Sequence, residues 1–223
     1  AGHVPAVETG LSSDPDMNWA VPALAGKTIV SFSDAHSLPN MGRELTIFEG
    51  AAGYPNLADG LKNNRVEKTL EFFPEEGKNH LSGHRKCGVS QTPEETVELG
   101  NRCLEYGRPL TLGVVHRVEE LSGAETLSPD GLSPDGLSDG LSIEELKRPY
   151  SKLVPLIELV AYSMGRGRAA KSVGLAYQRI CAELGGEVKI LTQVGYADLE
   201  RVGGEDLAVA VTKVRDGQVL IVA

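Results

Sequence analysis

The sequence predicts an α/β protein in which an alternating strand–helix segment is followed by a Cys/His-containing module and then by a mainly helical C-terminal segment. Three observations carry this reading. Lys27-Thr-Ile-Val-Ser-Phe-Ser33 is rich in β-formers and runs into the polar cluster Asp34-Ala35-His36. Residues 77–118 hold two of the three cysteines and three of the five histidines. Residues 151–164 and 169–184 repeat apolar positions at helical spacing on either side of Gly165-Arg166-Gly167.

Taken in order, residues 1–76 read as alternating strand and helix. A second strand is expected at Thr69-Leu-Glu-Phe-Phe73, and residues 56–64 have helix-like spacing interrupted by Gly60. Within residues 77–121, Thr92-Pro-Glu-Glu95 predicts a helix start: Thr92 caps, Pro93 suits the first position and Glu95 closes a capping box. Residues 127–142 repeat Leu-Ser-Pro-Asp-Gly twice and then Leu-Ser-Asp-Gly, a turn-forming tract without a continuous apolar face. It reads as a flexible linker inside the interval 122–145, and its few units do not make a solenoid. Residues 146–223 are expected to form a small helical or α+β domain. Its helices span 151–164 and 169–184, the second closed by Gly185-Gly186. A strand at 188–191, a helix at 205–214 and a strand at 218–222 should follow, with Cys181 in the core.

The bulk numbers exclude little. A chain of 223 residues with 41% hydrophobic content has room for one large domain or two to three small ones. It has no run of eighteen apolar residues, and residues 1–10 lack the basic and apolar regions of a secretory leader. A cytoplasmic protein with no membrane partner is expected. Three widely spaced cysteines argue against a disulfide framework and leave metal binding or burial. The net charge of −9 speaks against nucleic acid until its distribution is considered. Residues 147–179 carry seven basic side chains against one acid, a local charge of +6. No P-loop, dinucleotide glycine motif or Ser-His-Asp arrangement is present, so ATP-driven helicase activity has no support.

Two sets of residues carry candidate chemistry. Asp34 and His36 are two residues apart, so on an extended chain their side chains leave on one side, where a carboxylate and an imidazole can hold one ion. Taken alone, such a pair more often marks an ordinary polar loop than a ligand pair. Gly165-Arg-Gly167 is similar to a helix-hairpin-helix turn, whose backbone N–H groups hold phosphate, although Arg166 stands where an apolar residue is usual. Arg166, Arg168 and Lys171 are therefore DNA-binding candidates, and their alternative reading is a solvated helix face.

Glu8-Thr-Gly-Leu-Ser-Ser-Asp-Pro-Asp-Met-Asn-Trp19, Val30-Ser-Phe-Ser-Asp-Ala-His-Ser37 and Gly42-Arg-Glu44 resemble the latter part of the polymerase-and-histidinol-phosphatase (PHP) domain of endonuclease Q. Glu71-Phe-Phe-Pro-Glu-Glu-Gly-Lys78, Gly83-His-Arg-Lys-Cys87 and Gly107-Arg-Pro-Leu-Thr-Leu-Gly-Val-Val-His-Arg-Val-Glu-Glu-Leu121 resemble that family's zinc-binding module. The resemblance covers the chain except the linker. It implies the C-terminal part of a PHP-type (β/α) barrel over residues 1–76, a zinc-ribbon-like module over 77–121 and a helical C-terminal domain. It also implies a DNA-repair endonuclease that cuts 5′ to deaminated bases or abasic sites with divalent metal: zinc, magnesium or manganese. Asp34 and His36 map onto the family's last metal motif, with Glu8 lining the site. His84, Cys87 and Cys103 map onto a structural zinc site.

The chain departs from the family in two places. The family's first metal motif, a His-x-His, has no counterpart here, so a chain truncated at its N-terminus, and at its C-terminus before a Gly-rich strand, is expected. The fourth zinc position is Tyr106, which leaves a weak site, one completed by His80, or a module without metal. A non-catalytic DNA-binding fragment and a PHP phosphoesterase acting on small esters remain alternative readings.

Overall fold

The computed structural model describes residues 4–84, 86–123 and 146–219. The expected linker, residues 127–142, lies outside them. The fold is a mixed α/β arrangement. Strand β1 (Ala6–Glu8) pairs in parallel with β2 (Thr28–Val30), Val7 opposite Ile29, and helix α1 (Pro15–Trp19) lies in the connection between them. Asp14 starts α1 by accepting the Met17 N–H at 2.9 Å, with Pro15 at the first position where its missing N–H costs nothing. The predicted strand at 27–33 is thus shorter, ending at Val30.

A second sheet has the order β3 (Leu45–Phe48), β4 (Val66–Glu71), β7 (Tyr150–Lys152), the last pair parallel. Helix α2 (Tyr54–Asn63) joins β3 to β4 and ends on Asn64 in the left-handed region. The Gly60 interruption has a packing reason: a Cβ there would sit 2.6 Å from the Phe48 ring. Strand β7 comes from beyond the low-complexity tract. It is tied back by Lys152 to Asp14 at 2.7 Å and by the Tyr150 hydroxyl to Asp16.

The middle module holds the hairpin β5 (Ser82–His84) and β6 (Val89–Gln91), then α3 (Pro93–Leu99) and α4 (Val114–Ser122). Helix α3 begins with the expected capping box: Glu95 N–H to Thr92 Oγ1 at 3.2 Å and Thr92 N–H to Glu95 Oε2 at 2.9 Å. Gly113 is required where α4 meets the hairpin, because a Cβ would lie 2.3 Å from the Leu81 carbonyl carbon.

The last segment is helical: α5 (Leu156–Ser163), α6 (Lys171–Leu184), α7 (Glu187–Thr192), α8 (Tyr196–Gly203) and α9 (Glu205–Arg215). Leu156, Leu199, Leu207 and Val211 are fully buried there, and Leu70 of β4 joins the same core. Cys181 is only partly buried, at the edge of this core.

Three expectations are corrected. Residues 151–155 are not helical, because Pro155 lacks an N–H and disfavours helical backbone at the residue before it, so β7 precedes α5. Residues 188–191 form helix α7 rather than a strand; a four-residue apolar run has no decisive period, and Ile190 and Leu191 are buried as adjacent helical positions. Gln218 and Val219 are in no strand, and the remainder of 218–222 falls outside the described residues. Among the described residues the strands form small sheets and no closed barrel.

Arg215 fixes the bundle from the end of α9. Its guanidinium donates to the Leu191 carbonyl at 2.9 Å, the Val194 carbonyl at 2.7 Å and the Ile190 carbonyl, capping the C-terminus of α7. Arg215→Ala strands these acceptors, and a loss of about 2–3 kcal/mol is expected. Urea unfolding measures it; a loss below about 0.5 kcal/mol would show that water replaces the guanidinium.

Candidate functional site

Glu8 at the end of β1 and Asp34 just past β2 line one open cleft of about 680 Å³, together with Arg43, Phe72, Glu76 and Lys78. The residues beyond β2 are not extended as the spacing argument assumed. Asp34 adopts φ 43°, a left-handed conformation that Asp tolerates better than most residues, and this turn brings His36 back toward it. His36 Nδ1 lies 3.9 Å from Asp34 Oδ1 and 2.9 Å from the Asp34 carbonyl oxygen. A carbonyl only accepts, so Nδ1 carries a hydrogen, and in the neutral ring the lone pair is on Nε2. Metal-ligating histidines are oriented this way. Both side chains are open to solvent, 71% exposed for Asp34 and 85% for His36, and His36 is not a wall of the cleft. The Arg43 guanidinium donates to the Ser33 carbonyl at 2.9 Å and closes the loop behind Asp34.

Beneath these strand ends lies a buried carboxylate pair to which the sequence reading gave no role. Glu71, fully buried at the end of β4, accepts from the Thr9 hydroxyl at 3.0 Å and the Ser31 hydroxyl at 2.9 Å. Thr9 follows Glu8 and Ser31 follows β2, so Glu71 holds the two chains that carry Glu8 and Asp34. Glu44, 2% exposed, accepts the Phe72 N–H at 3.2 Å. Burial, reinforced by the charge of Glu71 and opposed by the Phe72 N–H and by Arg43, leaves Glu44 pushed up to about 7. Burial also pushes Glu71 up. One oxygen of each carboxyl has no hydrogen-bond partner among the described residues.

In the middle module, His84, Cys87, Cys103 and Tyr106 converge. Cys87 Sγ is 3.3 Å from Cys103 Sγ and 3.7 Å from His84 Nδ1, and the Tyr106 hydroxyl is hydrogen-bonded to that same His84 nitrogen. His80 does not complete the set, because its Nδ1 donates to the Ser12 carbonyl at 3.0 Å. The donor set lacks one thiolate of a one-His, three-Cys zinc site and has the phenol of Tyr106 in its place, a much weaker zinc donor. Two thiolates on a tetrahedral zinc stand about 3.7 Å apart, from Zn–S bonds of about 2.3 Å. Here the sulfurs are in direct contact, and the phenol engages the ring nitrogen facing Cys87. Among the described residues no group of three or more His, Cys, Asp and Glu is arranged to hold an ion. Burial alone would push the Cys103 thiol up; hydrogen bonding with Cys87 and with the Glu105 and Tyr106 backbone outweighs it and holds the thiol below its ordinary range.

Arg166, Arg168 and Lys171 are all exposed around the turn between α5 and α6, where Gly165 takes φ 59°. Their charges are not equally available. Arg168 pairs with Glu158 at 2.8 Å and reaches Asn40 Oδ1 at 3.4 Å, which links this turn to the loop following His36.

The helical segment matches a known domain class: residues 155–218 fit the family model described as the MJ0043 C-terminal domain. Over 97% of its length the chain is similar to endonuclease Q. The crystal structure of the lesion-specific endonuclease PfuEndoQ from Pyrococcus furiosus aligns with TM-score 0.76 and 26% identity, and that of endonuclease Q with a 27-mer duplex substrate carrying an abasic lesion at its active site aligns with TM-score 0.79 and 26% identity. Among curated proteins, uncharacterized protein MJ0043 of Methanocaldococcus jannaschii and uncharacterized protein YqxK of Bacillus subtilis are each 27% identical over 96% of this chain. The chain spans 52% of each endonuclease Q chain, 49% of YqxK and 26% of MJ0043. The resemblance carried by the sequence motifs thus extends to the fold, and the structural neighbours are endonucleases.

Proposed function

We propose that the complete protein is a metal-dependent DNA-repair endonuclease of the endonuclease Q type, hydrolysing the phosphodiester 5′ to deaminated bases or abasic sites. The observation that carries this reading is the similarity of nearly the whole chain to an endonuclease Q structure holding an abasic duplex. The cleft with Glu8 and Asp34, and His36 beside Asp34, supports it.

In this proposal residues 1–76 form part of a PHP-type barrel, this chain matching 52% of each endonuclease Q chain. The Asp34 carboxylate would be one donor to a divalent ion, zinc, magnesium or manganese, and His36 would join it once its ring turned from the present arrangement, in which Nδ1 rather than Nε2 faces Asp34; the other donors would come from the family's His-x-His motif. The ion would supply positive charge that polarises the scissile phosphate and eases deprotonation of the attacking water. Arg43 and Glu71 hold the loops from which Asp34 and Glu8 project. Lesion opening is favoured because a damaged or missing base costs less to unstack.

The test is strand nicking of duplexes carrying uracil, hypoxanthine or an abasic site by the product of the full reading frame, with each of the three ions supplied. Scission 5′ to the lesion is expected, with little from this 223-residue chain alone. No scission at any lesion with any ion would end the proposal.

The basic turn is assigned to backbone positioning. Arg166→Ala should weaken binding to damaged and undamaged duplex alike and reduce the slope of log K against log salt by about 0.9. Arg168→Ala should reduce it less, because Arg168 already faces Glu158. Unchanged slopes in titrations at two salt concentrations would leave these arginines as solvated surface.

A further inference from the structure

The His84, Cys87, Cys103 and Tyr106 cluster has the outline of a metal site and the internal bonding of something else. Its two sulfurs touch at 3.3 Å, and its imidazole is taken up by a phenol. We infer that Cys87 and Cys103 form a thiol–disulfide redox site, oxidised by exchange with a small-molecule disulfide of the glutathione type, in place of a zinc centre.

The backbone sets up this pair. Cys87 sits in the β5–β6 turn, its N–H donating to the His84 carbonyl at 3.1 Å, with Gly88 at φ 67° completing the turn. Cys103 sits in a second tight loop, closed by Gly107 N–H to the Cys103 carbonyl at 2.7 Å and Cys103 N–H to the Arg108 carbonyl at 2.8 Å. The two cysteines are sixteen residues apart in sequence, and backbone hydrogen bonds within each loop hold the sulfurs 3.3 Å apart. A disulfide needs its sulfurs at about 2.05 Å, which side-chain rotation from contact distance supplies. Cys87 is partly exposed and Cys103 is 2% exposed, so an external disulfide reaches Cys87 first.

The exchange balances without a metal or an external electron carrier. The Cys87 thiolate attacks one sulfur of the small disulfide and expels the other as thiolate, leaving a mixed disulfide on Cys87. The Cys103 thiolate then attacks Cys87 Sγ and expels the second small thiolate. The two protons lost from the cysteines go to the two released thiols. The protein pair is oxidised, and one small disulfide is reduced to two thiols.

The experiment is run on folded protein purified under reductant and then equilibrated with glutathione and glutathione disulfide at set ratios. Intact mass should fall by about 2 Da, and non-reducing peptide mapping should place the cross-link between Cys87 and Cys103, with Cys181 outside it. Cys103→Ser should instead trap a glutathione adduct on Cys87. In parallel, zinc is titrated into reduced protein in competition with a chromophoric chelator. The wild type should compete at least a hundredfold more weakly than Tyr106→Cys, which restores a fourth ligand of the thiol type. Stoichiometric zinc in the wild type with affinity equal to that of Tyr106→Cys would overturn the inference. So would a cross-link that appears only in denaturant, or one that pairs Cys181 with either partner.

Discussion

Asp34→Asn in the complete protein is expected to lower the single-turnover rate of nicking at an abasic site on the order of a thousand-fold, the scale seen when one charge-stabilising group is removed from a reaction centre. The substitution isolates charge. Asp34 is 71% exposed, so the fold gains little from its side chain. Its φ of 43° is one that asparagine also adopts readily, whereas alanine there would add backbone strain of its own. The amide variant keeps the turn that returns His36, and loses the carboxylate that would hold the ion. The urea midpoint and the affinity for undamaged duplex should remain at the wild-type values. A rate within tenfold of wild type, with folding unchanged, would remove Asp34 from the proposed metal site and leave the pair as an ordinary polar loop.

The sequence announces some of these features and hides others for identifiable reasons. The capping box at Thr92 and Glu95 is local chemistry, and it forms as read. The proximity of Asp34 and His36 is legible in their spacing, but its geometry is not: a left-handed turn at Asp34, rather than alternation on a strand, sets it. Helix α7 is invisible as a helix because four apolar residues fit a strand equally well, and its cap, Arg215, lies more than twenty residues away. The pairing of β7 with β4 joins residues on opposite sides of a tract that carries no pairing signal. Glu44 and Glu71 are the clearest omission. A lone glutamate in a strand-like run reads as a solvent-facing position, and nothing local says that Thr9 and Ser31 will close over Glu71. Tyr106 is the opposite case. The departure from a thiol is plain in the sequence, but only the structure shows that its phenol turns to His84.

Stability should fall as pH rises from 5 to 8, and Glu44→Gln should remove much of that dependence. Glu44 is pushed up to about 7 in the folded protein from an ordinary value of 4.5. Between those two values the folded protein holds a proton that the unfolded chain has released. The sign follows directly: folding is most favoured by this group at and below about pH 4.5, loses ground as pH climbs through 7, and levels off above it. The span corresponds to a contribution on the order of 3 kcal/mol. With Glu44 only 2% exposed, solvent does little to screen it. The charged groups around it are Glu71, which opposes ionisation, and Arg43, which favours it. Glu71 is raised as well and acts in the same direction. Glutamine keeps an oxygen for the Phe72 N–H and never ionises, so Glu44→Gln and wild type should be nearly equal at pH 5, with the variant the more stable at pH 8. Because every other titrating group is common to both proteins, the difference between their urea-unfolding free energies reports Glu44 together with its coupling to Glu71. A difference that stays constant within about 0.5 kcal/mol from pH 5 to 8 would mean that Glu44 is ionised in the folded protein throughout that range, and that the space beneath Glu8 and Asp34 is wetter than its burial indicates.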